Sequence, residues 1–169
     1  MRVCVRACGG LRAQLLLAEP LIVRLALDCA AASPRLRQRL PRLVGPAEAL
    51  KIMLSGRHIP AVKAVDMGVI DSLSEGDIVE DAVAFAKDVA EKNETHPLVR
   101  NLNEKVIAAR GDENVISEAR ALAAKTRKGQ FAPGKIIQCV EAAINLDDFD
   151  EGMKKEAEYF IECLLNPQR

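Results

Sequence analysis

The sequence predicts a mainly α-helical chain, and three observations carry that expectation. Hydrophobic residues make up 49% of the 169 residues but aromatics only 3%, with no Trp. A core of Ala, Leu, Ile and Val suits closely packed helices better than a β-sandwich. Apolar residues then recur at helical spacing through most of the second half, and Pro and Gly punctuate the segments as starts and stops. The length allows one ordinary domain with a real core.

The elements follow in order after residue 45. Pro46 occupies a first helical position, Ala47, Leu50, Ile52, Met53 and Leu54 form an apolar stripe, and Gly56 ends it. Pro60 opens a short helix over Ala61–Met67, closed by Gly68, and Val69–Leu73 is a short extended segment. Ser74–Asp77 supplies a turn and an N-cap for a helix over Ile78–Lys92, whose apolar pairs fall at 78/79, 82/83, 85/86 and 89/90. Asn93–Pro97 is a boundary, since Pro97 disfavours helix at His96. Helices are expected at Asn103–Ala109, Glu113–Lys128 (ending at Gly129) and Lys135–Asn145, and from Phe149 onward. In the last, Phe149, Met153, Ala157, Phe160 and Leu164 form one stripe, with Glu151 and Lys155 paired four apart on the outside.

Formal net charge is zero, yet the charge is divided. Residues 1–42 carry eight Arg, no Lys and two acids, Glu19 and Asp28, for a net of +6; the remainder carries −6. The cluster Arg35–Arg42 is basic but has no interleaved aromatics, so a solvated helix face is the reading preferred over a nucleic-acid patch. The apolar stretch over 9–34 is broken by Arg12, Glu19, Pro20, Arg24 and Asp28, too often for a membrane span. It lacks the uninterrupted apolar run of a secretory signal, and its scarcity of Ser argues against an organelle transit peptide.

Generic motifs for chemistry are absent: there is no GxGxxG after a strand, phosphate loop, HExxH or GxSxG. The five cysteines form no CxxC pair and no zinc pattern; Cys4, Cys8 and Cys29 lie in the Arg-rich block, while Cys139 and Cys163 occupy apolar helical positions as small buried hydrophobes. Their use points to a reducing, cytoplasmic compartment. His58 and His96 each stand beside a turn, where a surface or capping role is preferred to catalysis. The acidic run Asp147–Glu151 complements a helix start. No metal ligand is assigned.

One stretch says more. Gln38-Arg-Leu-Pro-Arg-Leu-Val-Gly-Pro-Ala-Glu-Ala-Leu50, then Met53-Leu-Ser-Gly-Arg57 and Ala64-Val-Asp-Met-Gly-Val-Ile-Asp71, resembles the enoyl-CoA hydratase (crotonase) family, in which such a run follows the Gly-rich loop of the active site. Ala121–Lys128, Ala132-Pro133, Val140-Glu-Ala-Ala143 and Phe149-Asp-Glu-Gly-Met-Lys-Lys-Glu156 are similar to the bifunctional β-oxidation enzymes, whose hydratase module precedes a 3-hydroxyacyl-CoA dehydrogenase. The resemblance runs over about 38–169. It implies the C-terminal portion of a crotonase-like fold plus linker helices, with at most one or two short strands. It further implies three regions: an atypical segment 1–37, a partial crotonase core 38–95, and a helical region 96–169 leading towards a dehydrogenase domain.

The resemblance also implies where chemistry should lie. Family hydration rests on two glutamates and two backbone N–H donors that hold the thioester oxyanion, all before the Gln-Arg-Leu run. Here Ser33-Pro-Arg-Leu-Arg37 replaces the Gly-rich loop. Leu25 stands where the glutamate is expected, and Glu19 is six residues early and followed by Pro20. No catalytic, cofactor-binding or substrate-binding residue is therefore carried over. Coenzyme A enters only as part of the parent substrate, and NAD only in a dehydrogenase domain beyond Arg169. The composition break near Gln38 suggests an alternative-frame translation of residues 1–37, or a divergent N-terminus. Two functions follow as expectations. One is an inactive portion of an enzyme hydrating trans-2-enoyl-CoA; the other is a non-catalytic helical assembly module that self-associates through exposed apolar faces.

Overall fold

The computed structural model describes residues 3–6, 14–16, 36–56, 59–74, 76–92 and 98–168. The chain divides into two compact units, Met1–Cys29 with His58–Asn101, and Ala30–Arg57 with Leu102–Arg169. Helix dominates the described residues, as composition and periodicity require. Within 38–169 the described residues contain a single short strand, and two more lie in the N-terminal segment.

In the first unit, β1 (Val3–Arg6) pairs antiparallel with β2 (Gln14–Leu16) and with β3 (Ser72–Ser74), giving the order β2-β1-β3. The helix α3 (Ala61–Asp66) ends on Gly68 at φ 72°, a left-handed position that suits glycine. The extended segment expected at 69–73 starts later than predicted. The Val69 and Ile70 N–H groups turn back onto the Ala64 carbonyl at 2.9 and 3.3 Å, so these residues close the helix and the ladder begins only at Ser72. The helix α4 (Ile78–Glu91) starts as its sequence demands: Asp77 Oδ1 accepts from the Val79 and Glu80 N–H groups at 2.9 and 3.1 Å. Ser74 Oγ donates to Asp81 Oδ2 and ties strand to helix.

The second unit holds α1 (Leu36–Val44), α2 (Pro46–Ser55), α5 (Glu104–Ala108), α6 (Glu113–Thr126), α7 (Ala132–Asn145) and α8 (Phe149–Leu165). Helix α7 is its centre and packs against all the others. Leu50 and Leu54 of α2, Ala119 of α6, and Ile137, Val140 and Ile144 of α7 form the dry core. Burying each of the larger side chains contributes about 1.5–3 kcal/mol relative to exposure.

Three helix ends in this unit are closed by cations from elsewhere. Arg127 donates to the carbonyls of Leu54 and Ser55 at 3.2 and 3.3 Å, covering the end of α2 where Gly56 turns at φ 62°. Arg110 donates to the Ile144 carbonyl at 2.7 Å and to Asp147 at 2.6 Å, closing α7. Lys105 donates to the Leu43 carbonyl near the end of α1. Each cation meets the negative end of a helix dipole and satisfies carbonyls that have no partner within the helix.

The last helix follows its hydrophobic stripe only in part. Phe149, Met153 and Phe160 are half-buried, Ala157 and Leu164 are exposed, and the two buried residues of α8 are Gly152 and Glu156. The outer pairing also differs: Lys155 bonds Glu158 at 2.8 Å, three residues on, in place of Glu151. Gly152 and Glu156 turn instead towards Gln38 and Arg37 of α1.

Candidate functional site

The most unusual chemistry among the described residues lies where α1 meets α7 and α8. Helical spacing in α1 sets Gln38, Pro41 and Arg42 on one face, and Leu40 is buried with them. Gln38 is fully buried, and its Nε2 donates to the Cys139 carbonyl of α7 at 2.9 Å. This bond fixes the amide, because the flipped form would set two acceptors against each other. Oε1 therefore faces α8. A Cβ placed on Gly152 would fall 2.9 Å from Gln38 Cδ and closer still to Oε1. Glycine is required there by close approach, since its backbone dihedrals are those of an ordinary helix.

One turn beyond Gly152, Glu156 has its side chain fully sealed from solvent. Its Oε1 pairs with Arg37 NH1 at 3.3 Å, and the backbone N–H groups of Arg37 and Gln38 at the start of α1 also favour its charged form. Burial nevertheless dominates, and holds the Glu156 carboxyl above the usual carboxylate range against the pull of Arg37. Beside it the Cys139 thiol is 1% exposed and pushed up to about 12, first by burial and then by the Glu156 charge. Cys139 is a neutral, inert thiol, as its apolar position suggests, whereas Cys163 is only half-buried.

Arg42 overturns the solvated-face reading of the basic cluster. It is 3% exposed, donates to the Gln38 carbonyl at 2.6 Å and to Asn103 Oδ1 at 3.1 Å, and lies 4.9 Å from the centre of the Phe149 ring. Burial lowers the pKa of its guanidinium. Such a contact is attractive because the ring face is negative. Two buried oxygens, Gln38 Oε1 and Glu156 Oε2, find no hydrogen-bond donor among the described residues. Sequence reasoning passed over both. The available signal was a Gln and a Glu on the inward side of α1 and α8, the latter one turn after a helical Gly.

The remaining sequence candidates are distributed without forming a reaction centre. Asp148 is the N-cap of α8, accepting from Asp150 N–H at 2.9 Å, and Asp147 binds Arg110, so the acidic run does serve a helix start. A half-open groove of about 390 Å³ between α6 and the end of α7 has Ile116 and Ile144 on its walls and the Arg120–Glu141 pair at 3.7 Å. Its Asp112 is committed to capping α6 through Asn114 N–H at 3.0 Å. His58, His96, Cys8, Cys29, Glu19, Leu25 and residues 33–35 lie outside the described residues, as does the side chain of Cys4. Among the described residues no group of three or more His, Cys, Asp or Glu could hold a metal ion, and no helix is long and apolar enough to cross a membrane.

Comparison with known proteins places this arrangement. Residues 31–148 match the family model described as enoyl-CoA hydratase/isomerase. The chain is similar to the peroxisomal bifunctional enzyme of Pongo abelii, 33% identical over 133 residues that cover 78% of this chain and 18% of the relative. The human peroxisomal bifunctional enzyme is 32% identical over 133 residues, with the same coverage. The fatty acid oxidation complex subunit alpha of Shewanella sp. (strain MR-4) is 33% identical over 135 residues, 78% of this chain and 19% of the relative. The chain thus spans less than a fifth of the length of these curated relatives.

Proposed function

We propose, from the premise that the chain belongs to the enoyl-CoA hydratase/isomerase family, that it is part of a fatty-acid β-oxidation enzyme. In this reading the whole protein adds water to trans-2-enoyl-CoA, the hydroxyl going to the β-carbon and a proton to the α-carbon. The product is 3-hydroxyacyl-CoA. The observation that carries the reading is the family match over 31–148, supported by relatives named as a bifunctional enzyme and as a fatty acid oxidation complex subunit. We further propose a fused NAD-dependent 3-hydroxyacyl-CoA dehydrogenase, supported by the resemblance of Ala121–Lys128 and Phe149–Glu156 to the bifunctional β-oxidation enzymes. Coenzyme A belongs to the substrate, and the segment itself takes no cofactor. The compartment we assign is reducing and cytoplasmic.

The role of this segment is then support. Hydration needs a carboxylate to activate water, an acid to protonate the α-carbon and fixed N–H donors for the enolate oxygen. Among the described acids, Glu156 is sealed against Arg37, while Asp77, Asp112 and Asp148 cap helices. The chain alone is expected to turn over crotonyl-CoA at a negligible rate, because Ser33–Arg37 and Leu25 stand where the resemblance implies the Gly-rich loop and a glutamate. A rate near that of a full-length relative, measured by loss of the enoyl thioester absorbance, overturns the proposal.

A second reading rests on exposed apolar side chains: Val79 and Val83 on α4, and Ile161, Leu164 and Leu165 on α8. They suit a non-catalytic assembly module that self-associates. Coenzyme A-affinity retention favours the enzyme reading; a discrete oligomer on size exclusion without such retention favours assembly.

A further inference from the structure

The two orphaned oxygens at the junction of α1, α7 and α8 are both acceptors. A buried acceptor without a donor is destabilising, and two together in one joint require an explanation. Their placement is specific. Gln38 Oε1 is held against Gly152 by the Gln38–Cys139 bond. Glu156 sits one turn later on the same face, and helical side chains lean back towards the N-terminus, over the preceding turn. The backbone of Gln38 also acts on the Glu156 carboxyl. The orphaned oxygens of the acid and the amide therefore lie on one face of α8, against the start of α1.

We propose that Glu156 is a buried proton carrier, held as the neutral acid with its Oε2–H donating to Gln38 Oε1, and that this bond clasps α8 to the start of α1. One proton satisfies both orphans, leaving Oε1 free to accept from Arg37. Arg37 is the cation that acts on the carboxyl, through Oε1 at 3.3 Å, and the backbone N–H groups of Arg37 and Gln38 favour ionisation with it. Arg42 lies on the same helix, and Lys135 of α7 and Cys163 of α8 act on the neighbouring Cys139 thiol. Arg42 is engaged with Asn103 and the Gln38 carbonyl, and Lys135 with Glu162 at 2.6 Å. The Cys139 thiol is neutral and adds no positive charge. Removal from solvent outweighs the single cation facing the acid, in keeping with the upward direction of its titration.

The sign of the pH effect follows. A Glu whose folded form holds its proton more tightly than the unfolded chain gives a stability contribution fully present below the ordinary carboxylate range. The contribution is lost as pH rises through the folded value. Across that window the folded-to-unfolded ratio should fall by up to tenfold per pH unit from this group.

The test uses the full chain and Glu156→Gln, whose amide N–H supplies the donor without a titration. The expected result is a thermal midpoint at mildly alkaline pH equal to or above that of the parent, with its decline across the carboxylate-to-neutral range reduced. Infrared difference spectra of the parent should show a protonated-acid carbonyl band that persists above the pH at which exposed carboxylates ionise and is missing in Glu156→Gln. A variant that folds but is less stable at every pH assigns Glu156 to an ion pair with Arg37 and overturns the proposal. Should the variant not fold, the parent spectrum decides alone: absence of the acid band at mildly acidic pH means a carboxylate, with the orphans served by a buried water, and sinks the idea.

Discussion

Helix α7 faces two different joints. On one side Ile137, Val140 and Ile144 meet Leu50, Leu54 and Ala119 in an apolar core with no directional bond. On the other, the Cys139 carbonyl takes the Gln38 amide, Lys135 pairs with Glu162 at 2.6 Å, and Glu156, Arg37 and Arg42 add polar contacts between α1 and its neighbours. The first joint depends on volume and tolerates shape-preserving exchange; the second depends on atoms being satisfied one by one. A small unit uses the first for stability and the second to specify register, since only one roll of α8 brings Gly152 and Glu156 against Gln38.

Three substitutions sharpen that contrast. Leu54→Ala should have the largest effect, about 3 kcal/mol by denaturant unfolding, because it removes a fully buried side chain where six core residues interlock. A loss below about 1 kcal/mol would show that the apolar joint relaxes freely. Gly152→Ala should follow at about 2 kcal/mol, since its Cβ collides with an amide that Nε2 anchors to the Cys139 carbonyl. On helix propensity alone the same change would be stabilising, so a gain in stability breaks the contrast. Arg127→Ala should lose about 1 kcal/mol through the uncapped end of α2, with midpoint shifted and cooperativity retained. No measurable change would mean that solvent caps those carbonyls equally well.

The apolar joint was legible in the sequence because periodicity reports it. Leu50, Met53 and Leu54 fall at helical spacing between Pro46 and Gly56, and the Asp77 cap precedes a regular apolar pattern. The polar joint was not. Phe149, Met153, Ala157, Phe160 and Leu164 look like the inward stripe of α8, yet Gly152 and Glu156 are buried and Ala157 and Leu164 face out. The hydrophobic pattern finds the half-buried Phe149, Met153 and Phe160 but misses Gly152 and Glu156, whose partners Gln38 and Arg37 lie far earlier in the chain. Arg42 fails in the same way: its charge argues for solvent, and only the Phe149 ring, Asn103 and the Gln38 carbonyl make burial tolerable.

Helix identity, helix ends and family membership were thus determined by the sequence itself, since each rests on local spacing, on Pro and Gly backbone preferences, and on matched residues such as Gln38–Leu50. Which carboxyl is sealed, which amide faces it and why position 152 must be glycine were decided only by the tertiary structure. The physical reason is that a buried polar atom takes its meaning from the atom opposite. For Gln38 and Glu156 that atom lies on another helix, far away in sequence.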